Sequence, residues 1–69
     1  MTYAVVEANG QDIQSVHVFP TQREAIGHAI SLASDNNAAE DVIELKERFT
    51  DPGYWDQGEW RISVVSIAN

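Results

Sequence analysis

Residues 19–35 read FPTQREAIGHAISLASD, and the reading of this stretch decides the fold. Thr21-Gln22-Arg23-Glu24 fits a capping box. The Thr21 hydroxyl accepts from the Glu24 N–H, and the Glu24 carboxylate accepts from the Thr21 N–H. Glu24 also sits in the first turn, where the helix dipole favours negative charge. Ile26, Ala29, Ile30 and Ala33 recur at i, i+3, i+4 and i+7, with Ala25 and Leu32 at the margins. That spacing makes one buried stripe on an amphipathic helix. Asp35-Asn36-Asn37 closes it, because Asn tolerates the left-handed conformation just past a helix end. Gly27 interrupts the pattern at a cost of about 1 kcal/mol relative to Ala. The favoured reading is that it permits close helix–sheet packing.

Upstream, Tyr3-Ala4-Val5-Val6 and the Ile13, Val16, Val18, Phe19 set are β-prone runs separated by Asn9-Gly10. Asn-Gly between two such runs is a strong hairpin signal, since a type I′ turn needs positive φ at both central residues. With those two residues as the loop, Ala8 pairs with Gln11, Val6 with Ile13, Ala4 with Ser15 and Tyr3 with Val16. One face then carries Ala4, Val6, Ile13 and Phe19. The other carries Tyr3, Val5, Val16 and Val18. Both are partly apolar, and a one-residue slip exchanges them, so the face toward the helix stays open. Pro20 ends the second strand ahead of the Thr21 cap.

Downstream, Asn37 with Glu40 three residues on predicts a second helix over 38–49, AAEDVIELKERF. Ala38, Val42, Leu45 and Phe49 form its apolar stripe, widened by Ile43. Glu44 and Arg48 are a favourable i,i+4 pair. A strand over 42–49 is the alternative. Asp51-Pro52-Gly53 breaks that element, and residues 54–59 read as a loop or a short hairpin tip. The last run, WRISVVSIA from Trp60 to Ala68, is β-branched and nearly apolar, as in a strand with neighbours or cover on both faces. The expected fold is a single α+β domain over 1–69, ordered β-β-α-α-β. Two helices lie on one face of a small, mainly antiparallel sheet, whose last strand joins an edge of the hairpin. The alternative order is β-β-α-β-β.

Sixty-nine residues lie near the lower limit for independent folding and leave little material for a deep cleft. There are no cysteines to form a disulfide or a thiolate metal site. Their absence suits a reducing cytoplasm. No apolar run reaches the length of a membrane span. The net charge is −7, from eleven acids against four bases, which argues against direct binding to nucleic acid or to an anionic membrane. No nucleophile elbow, phosphate loop or calcium loop is present. His17 and His28 have no ligand spacing and read as strand and helix-flank residues. An enzyme, a metal and a cofactor are all unexpected.

Two features remain. Residues 35–59 hold Asp35, Glu40, Asp41, Glu44, Glu47, Asp51, Asp56 and Glu59 against Lys46 and Arg48: eight acids, two bases, net −6. On the expected helix Glu40, Glu44 and Glu47 share one side, spaced by about 6 Å per four residues, near the spacing of successive phosphates. The patch is either a solvated face or a phosphate mimic. Tyr54, Trp55 and Trp60 cluster around a turn. They are either an interface anchor or a lid over one end of the core.

A very short, cysteine-free, acidic α+β chain without a catalytic motif resembles the small phage anti-CRISPR proteins that mimic DNA. The resemblance is one of general character and carries no motif. It implies a non-enzymatic inhibitor that blocks the nucleic-acid-binding surface of a Cas complex in the host bacterial cytoplasm. The partner would be a basic nucleic-acid-binding protein or complex, such as a bacterial CRISPR effector, and the inhibitor a monomer or weak dimer. The expected contact residues are Asp35, Glu40, Asp41, Glu44, Glu47, Asp51, Tyr54, Trp55, Asp56 and Glu59. The opening YAVVEANGQDIQSVHVFPTQREA also resembles the start of HicB-type antitoxins, which implies an antitoxin or accessory protein-interaction module instead. It departs from that pattern in a shorter strand–helix connection and lacks a DNA-binding tail.

Overall fold

Thr21 caps the first helix as its sequence demands: its hydroxyl accepts from the Glu24 N–H at 3.2 Å. In the computed structural model, which describes residues 2–67, that helix is α1, Gln22–Asp35. Before it come β1, Thr2–Asn9, and β2, Asp12–Phe19. After it come α2, Val42–Thr50, then β3, Tyr54–Gln57, and β4, Trp60–Ile67. Met1 and Ala68, at the ends of two expected strands, lie outside the described residues. The strands form one antiparallel sheet in the order β2-β1-β4-β3. The α+β class is as expected, and the last strand does join the N-terminal hairpin, along β1. The tip expected at 54–59 is a full hairpin: β3 pairs with β4 around Gly58-Glu59.

The first hairpin differs from expectation by its register. Asn9 stays in the strand opposite Asp12, and the loop is Gly10-Gln11. Only Gly10 takes positive φ there, at 61°. Glycine at the first central position is what a type II′ turn uses. The Gly10 N–H is also held, donating to the Glu59 carbonyl at 2.8 Å. Two residues on, Glu7 faces Ser15 while Ala8 faces Ile13, leaving Gln14 as a bulge. A bulge inverts the alternation beyond it. Phe19 therefore joins Tyr3 and Val5 on the helix-bearing side, while Val16 and Val18 turn to the other side with Ala4, Val6 and Ile13. This corrects the expected assignment of all three.

The core lies between the helices and one side of the sheet. Ala25, Ile26, Ala29 and Ala33 of α1 and Leu45 and Phe49 of α2 pack with Val5, Trp55 and Ile62. Each large side chain so buried contributes roughly 1.5–3 kcal/mol. Gly27 has no part in this. It is exposed, and a Cβ built there meets nothing within 4 Å, so close packing does not explain it.

The helix boundary also moves. Asn37 sits at φ 60°, the Asn37 N–H donates to the Ser34 carbonyl and the Ala38 N–H to the Ala33 carbonyl. These two bonds make a Schellman stop for α1. Asn37 is thus spent ending one helix and cannot begin the next. Asp41 does so instead, accepting from the Glu44 N–H at 2.8 Å. Residues 38–41 fall outside α2, and Ala38 packs on the core as part of the stop. Val42 and Ile43, expected in the stripe, are exposed. Val42 keeps the phase of Phe49 but lies seven residues earlier, about 10 Å along the axis, at the uncovered helix end.

Candidate functional site

Exposed carboxylates crowd α2 and its flanks. Glu44 and Glu47 are three residues apart on one helix and both exposed, so their Cβ atoms lie roughly 5–6 Å apart. Asp51 follows at the C-cap, before a cis peptide to Pro52. Asp35 ends α1, and Glu59 tips the β3–β4 turn. None of these five has an ion-pair partner among the described residues.

The other expected contacts are spent differently. Glu40 is not on the helix; its carboxylate pairs with the Arg48 guanidinium at 3.6 Å and is largely covered. The expected row of Glu40, Glu44 and Glu47 along one helix is therefore two residues long. The Asp41 carboxylate is the α2 cap. The Asp56 carboxylate accepts from Arg61 at 3.1 Å, on the far side of the sheet, where Arg61 also lies 4.5 Å above the Tyr54 ring. Tyr54 thus faces away from α2. Trp55 is only 1% exposed and belongs to the core, so it cannot anchor a partner. On α2 the apolar residues left open are Val42 and Ile43, in its first turn. Their hydropathy pointed inward, and only the late start of α2 put them out.

The two histidines meet. His17 lies opposite Val5, which brings it over α1, and its ring sits 4.7 Å from that of His28 in an edge contact. The Phe19 ring also lies 5.1 Å from that of His28. The described residues contain no group of three His, Cys, Asp or Glu side chains able to hold a metal. Between α1 and α2 runs a shallow groove of about 450 Å³ lined by Gln22, Arg23, Ile26, Lys46 and Thr50. A hollow of about 260 Å³ lies by the two hairpin turns, over Gly10, Gly58 and Trp60. No helix among the described residues is long and apolar enough to cross a membrane.

Comparison of the chain with protein-family models, curated proteins and solved structures found no match.

Proposed function

We propose that this chain is a non-enzymatic, protein-binding inhibitor that presents the acidic side of α2 to a basic, nucleic-acid-binding partner. The likeness in character to DNA-mimicking anti-CRISPR proteins makes a bacterial CRISPR effector the first partner to test. One observation carries the reading. Glu44, Glu47 and Asp51 are exposed carboxylates with no ion-pair partner among the described residues, on one short element that also carries the open apolar pair Val42 and Ile43. Closely spaced carboxylates that outnumber the cations beside them and form no ion pair with them compete for Lys and Arg sites that otherwise hold phosphate. The adjacent apolar residues supply the desolvated centre that a protein interface needs and that phosphate lacks.

The mechanism is competitive exclusion: the inhibitor and the nucleic acid claim the same cationic surface. The experiment immobilises the chain, captures partners from a bacterial lysate at low salt and challenges the complex with duplex DNA. Displacement of the captured protein by DNA supports the proposal. A stable ternary complex of chain, partner and DNA with undiminished affinities would sink it.

A further inference from the structure

The strand β2 is laid down with its hydrophobic side pointing away from the helices. Its positions toward the core side are Ser15, His17 and Phe19, of which Phe19 packs on the core and His17 meets His28 of α1. Its positions on the other side are Ile13, Val16 and Val18, at 66%, 54% and 59% exposed. An antiparallel sheet with one wet face ordinarily shows the reverse, apolar inward and polar outward. The register extends this open face across the whole sheet. Val18, Ala4 and Val65 form one row, and Val16, Val6, Ser63 and Tyr54 form the next. Ile67 stands beyond them opposite Thr2.

We infer that this open sheet face is a dimerisation surface whose occupant is the same face of a second copy, packed sheet on sheet. Area and charge both point to a second copy. The six large side chains on this face, Ile13, Val16, Val18, Tyr54, Val65 and Ile67, are 38% to 66% exposed. They leave on the order of 600 Å² of surface open per copy, at the upper limit for a patch on a monomer. Two such faces together bury about 1,200 Å², the lower bound of a specific interface.

Charge is the second argument. A chain of net −7 repels its own copy. Here the acids without an ion pair among the described residues lie on α2, at both ends of α1, at the hairpin turns and, as Glu7, on the helix-bearing side of β1. The ionised groups that alternation puts on the open face are Arg61 and Asp56, already paired to each other at 3.1 Å. A face with no net charge meets its own copy without the repulsion that the acidic surface of α2 incurs. Relief also suits self-packing. The inner strand β1 carries the small Ala4 and Ala8 on either side of Val6, flanked on β2 by the larger Val18 and Ile13. A two-fold axis through the face sets the ridge of one copy against the trough of the other. The dimer has four layers, α/β/β/α, and leaves both acidic α2 surfaces outward.

The test is sedimentation equilibrium of the full chain from about 5 to about 500 µM, a span that brackets micromolar association. The weight-average mass should rise from 7.7 kDa toward twice that value. Val16→Lys and Val65→Lys each bury an unpaired charge in the dimer and should weaken it at least ~10-fold with an unchanged circular dichroism spectrum. Ile43→Lys, on α2, should leave the mass curve unchanged. Methyl NMR of the wild type on dilution needs no variant: signals of Val16, Val18 and Val65 should shift while those of Val42 and Ile43 hold still. A wild type that stays at 7.7 kDa throughout overturns the inference. So does a dimer indifferent to Val65→Lys, which is the signature of pairing along the β2 edge, or dilution shifts confined to α2.

Discussion

Trp55 of β3 lies directly opposite Ile62 of β4, and the two are 1% and 0% exposed. The pair closes the end of the core where α2 crosses the sheet, with Leu45 and Phe49 packed in the same cluster. A tryptophan beside acids looks like an interface anchor in sequence. Here it is the largest fully buried side chain of the domain.

Trp55→Ala should therefore act on stability. Emptying a buried Trp site costs about 3–5 kcal/mol, and a core of this size supplies roughly that much in total. Urea melts followed by far-UV circular dichroism should show the variant largely unfolded without denaturant. A folded Trp55→Ala with wild-type midpoint and impaired partner binding would contradict the core assignment.

Gly27→Ala should stabilise. The site is exposed, helical and open, and the exchange recovers about 1 kcal/mol of helix propensity. An increase in melting midpoint checks this. A decrease would mean that the added methyl meets something the structure leaves clear.

The two helix ends make opposite predictions. Asp41→Ala removes the α2 cap and should destabilise by about 1 kcal/mol. Asn37→Gly removes the side chain from a residue at φ 60° and should stabilise by up to about 1 kcal/mol. Were Asn37 the α2 cap, that exchange would instead cost a few tenths of a kcal/mol. The sign of the midpoint shift decides which helix Asn37 serves.

The acidic surface is testable without touching the core. Combining Glu44→Gln, Glu47→Gln and Asp51→Asn removes three charges, taking the chain from −7 to −4. All three residues are exposed, so the fold should hold. Association with the basic partner should slow by about 10-fold or more at low salt, with a smaller effect on dissociation. Raising salt from about 0.05 to about 0.5 M contracts the screening length below 10 Å and should weaken the wild type more than the variant. Stopped-flow binding measures both. Equal salt dependence would show that charge does not drive the encounter.

A further check uses Gly53, which sits at φ 96° with its would-be Cβ 3.2 Å from the Val64 carbonyl. Its own carbonyl accepts from the Val64 N–H at 2.7 Å, tying the turn after α2 to β4. Gly53→Ala combines strain with a close contact and should lower stability by about 1–2 kcal/mol, read from the same melts.

Local chemistry by itself determined α1. A Thr cap, a four-residue apolar period and an Asn stop act within a few residues of one another, and the helix runs where they put it. The strand character of 2–9, 12–19 and 60–67 was legible for the same reason, since β-branched runs bounded by glycine turns are local signals. The acidity of 35–59 was also plain from the residues alone. What the tertiary structure decided were the choices between competing local signals. Asn37 fits both a helix stop and a helix start, and the Schellman bonds to Ser34 and Ala33 assign it to the stop. That one assignment shortens α2, takes Glu40 off it to pair with Arg48 and exposes Val42 and Ile43. Asn9-Gly10 fits a loop, yet the pairing of β1 with β4 extends to Asn9 opposite Trp60 and keeps it in the sheet. The loop moves one residue on, and the bulge at Gln14 inverts the far half of β2. Side-chain alternation has a period of two, so one inserted residue exchanges the faces. No local rule places that residue, and it is what turns Val16 and Val18 toward the open side of the sheet.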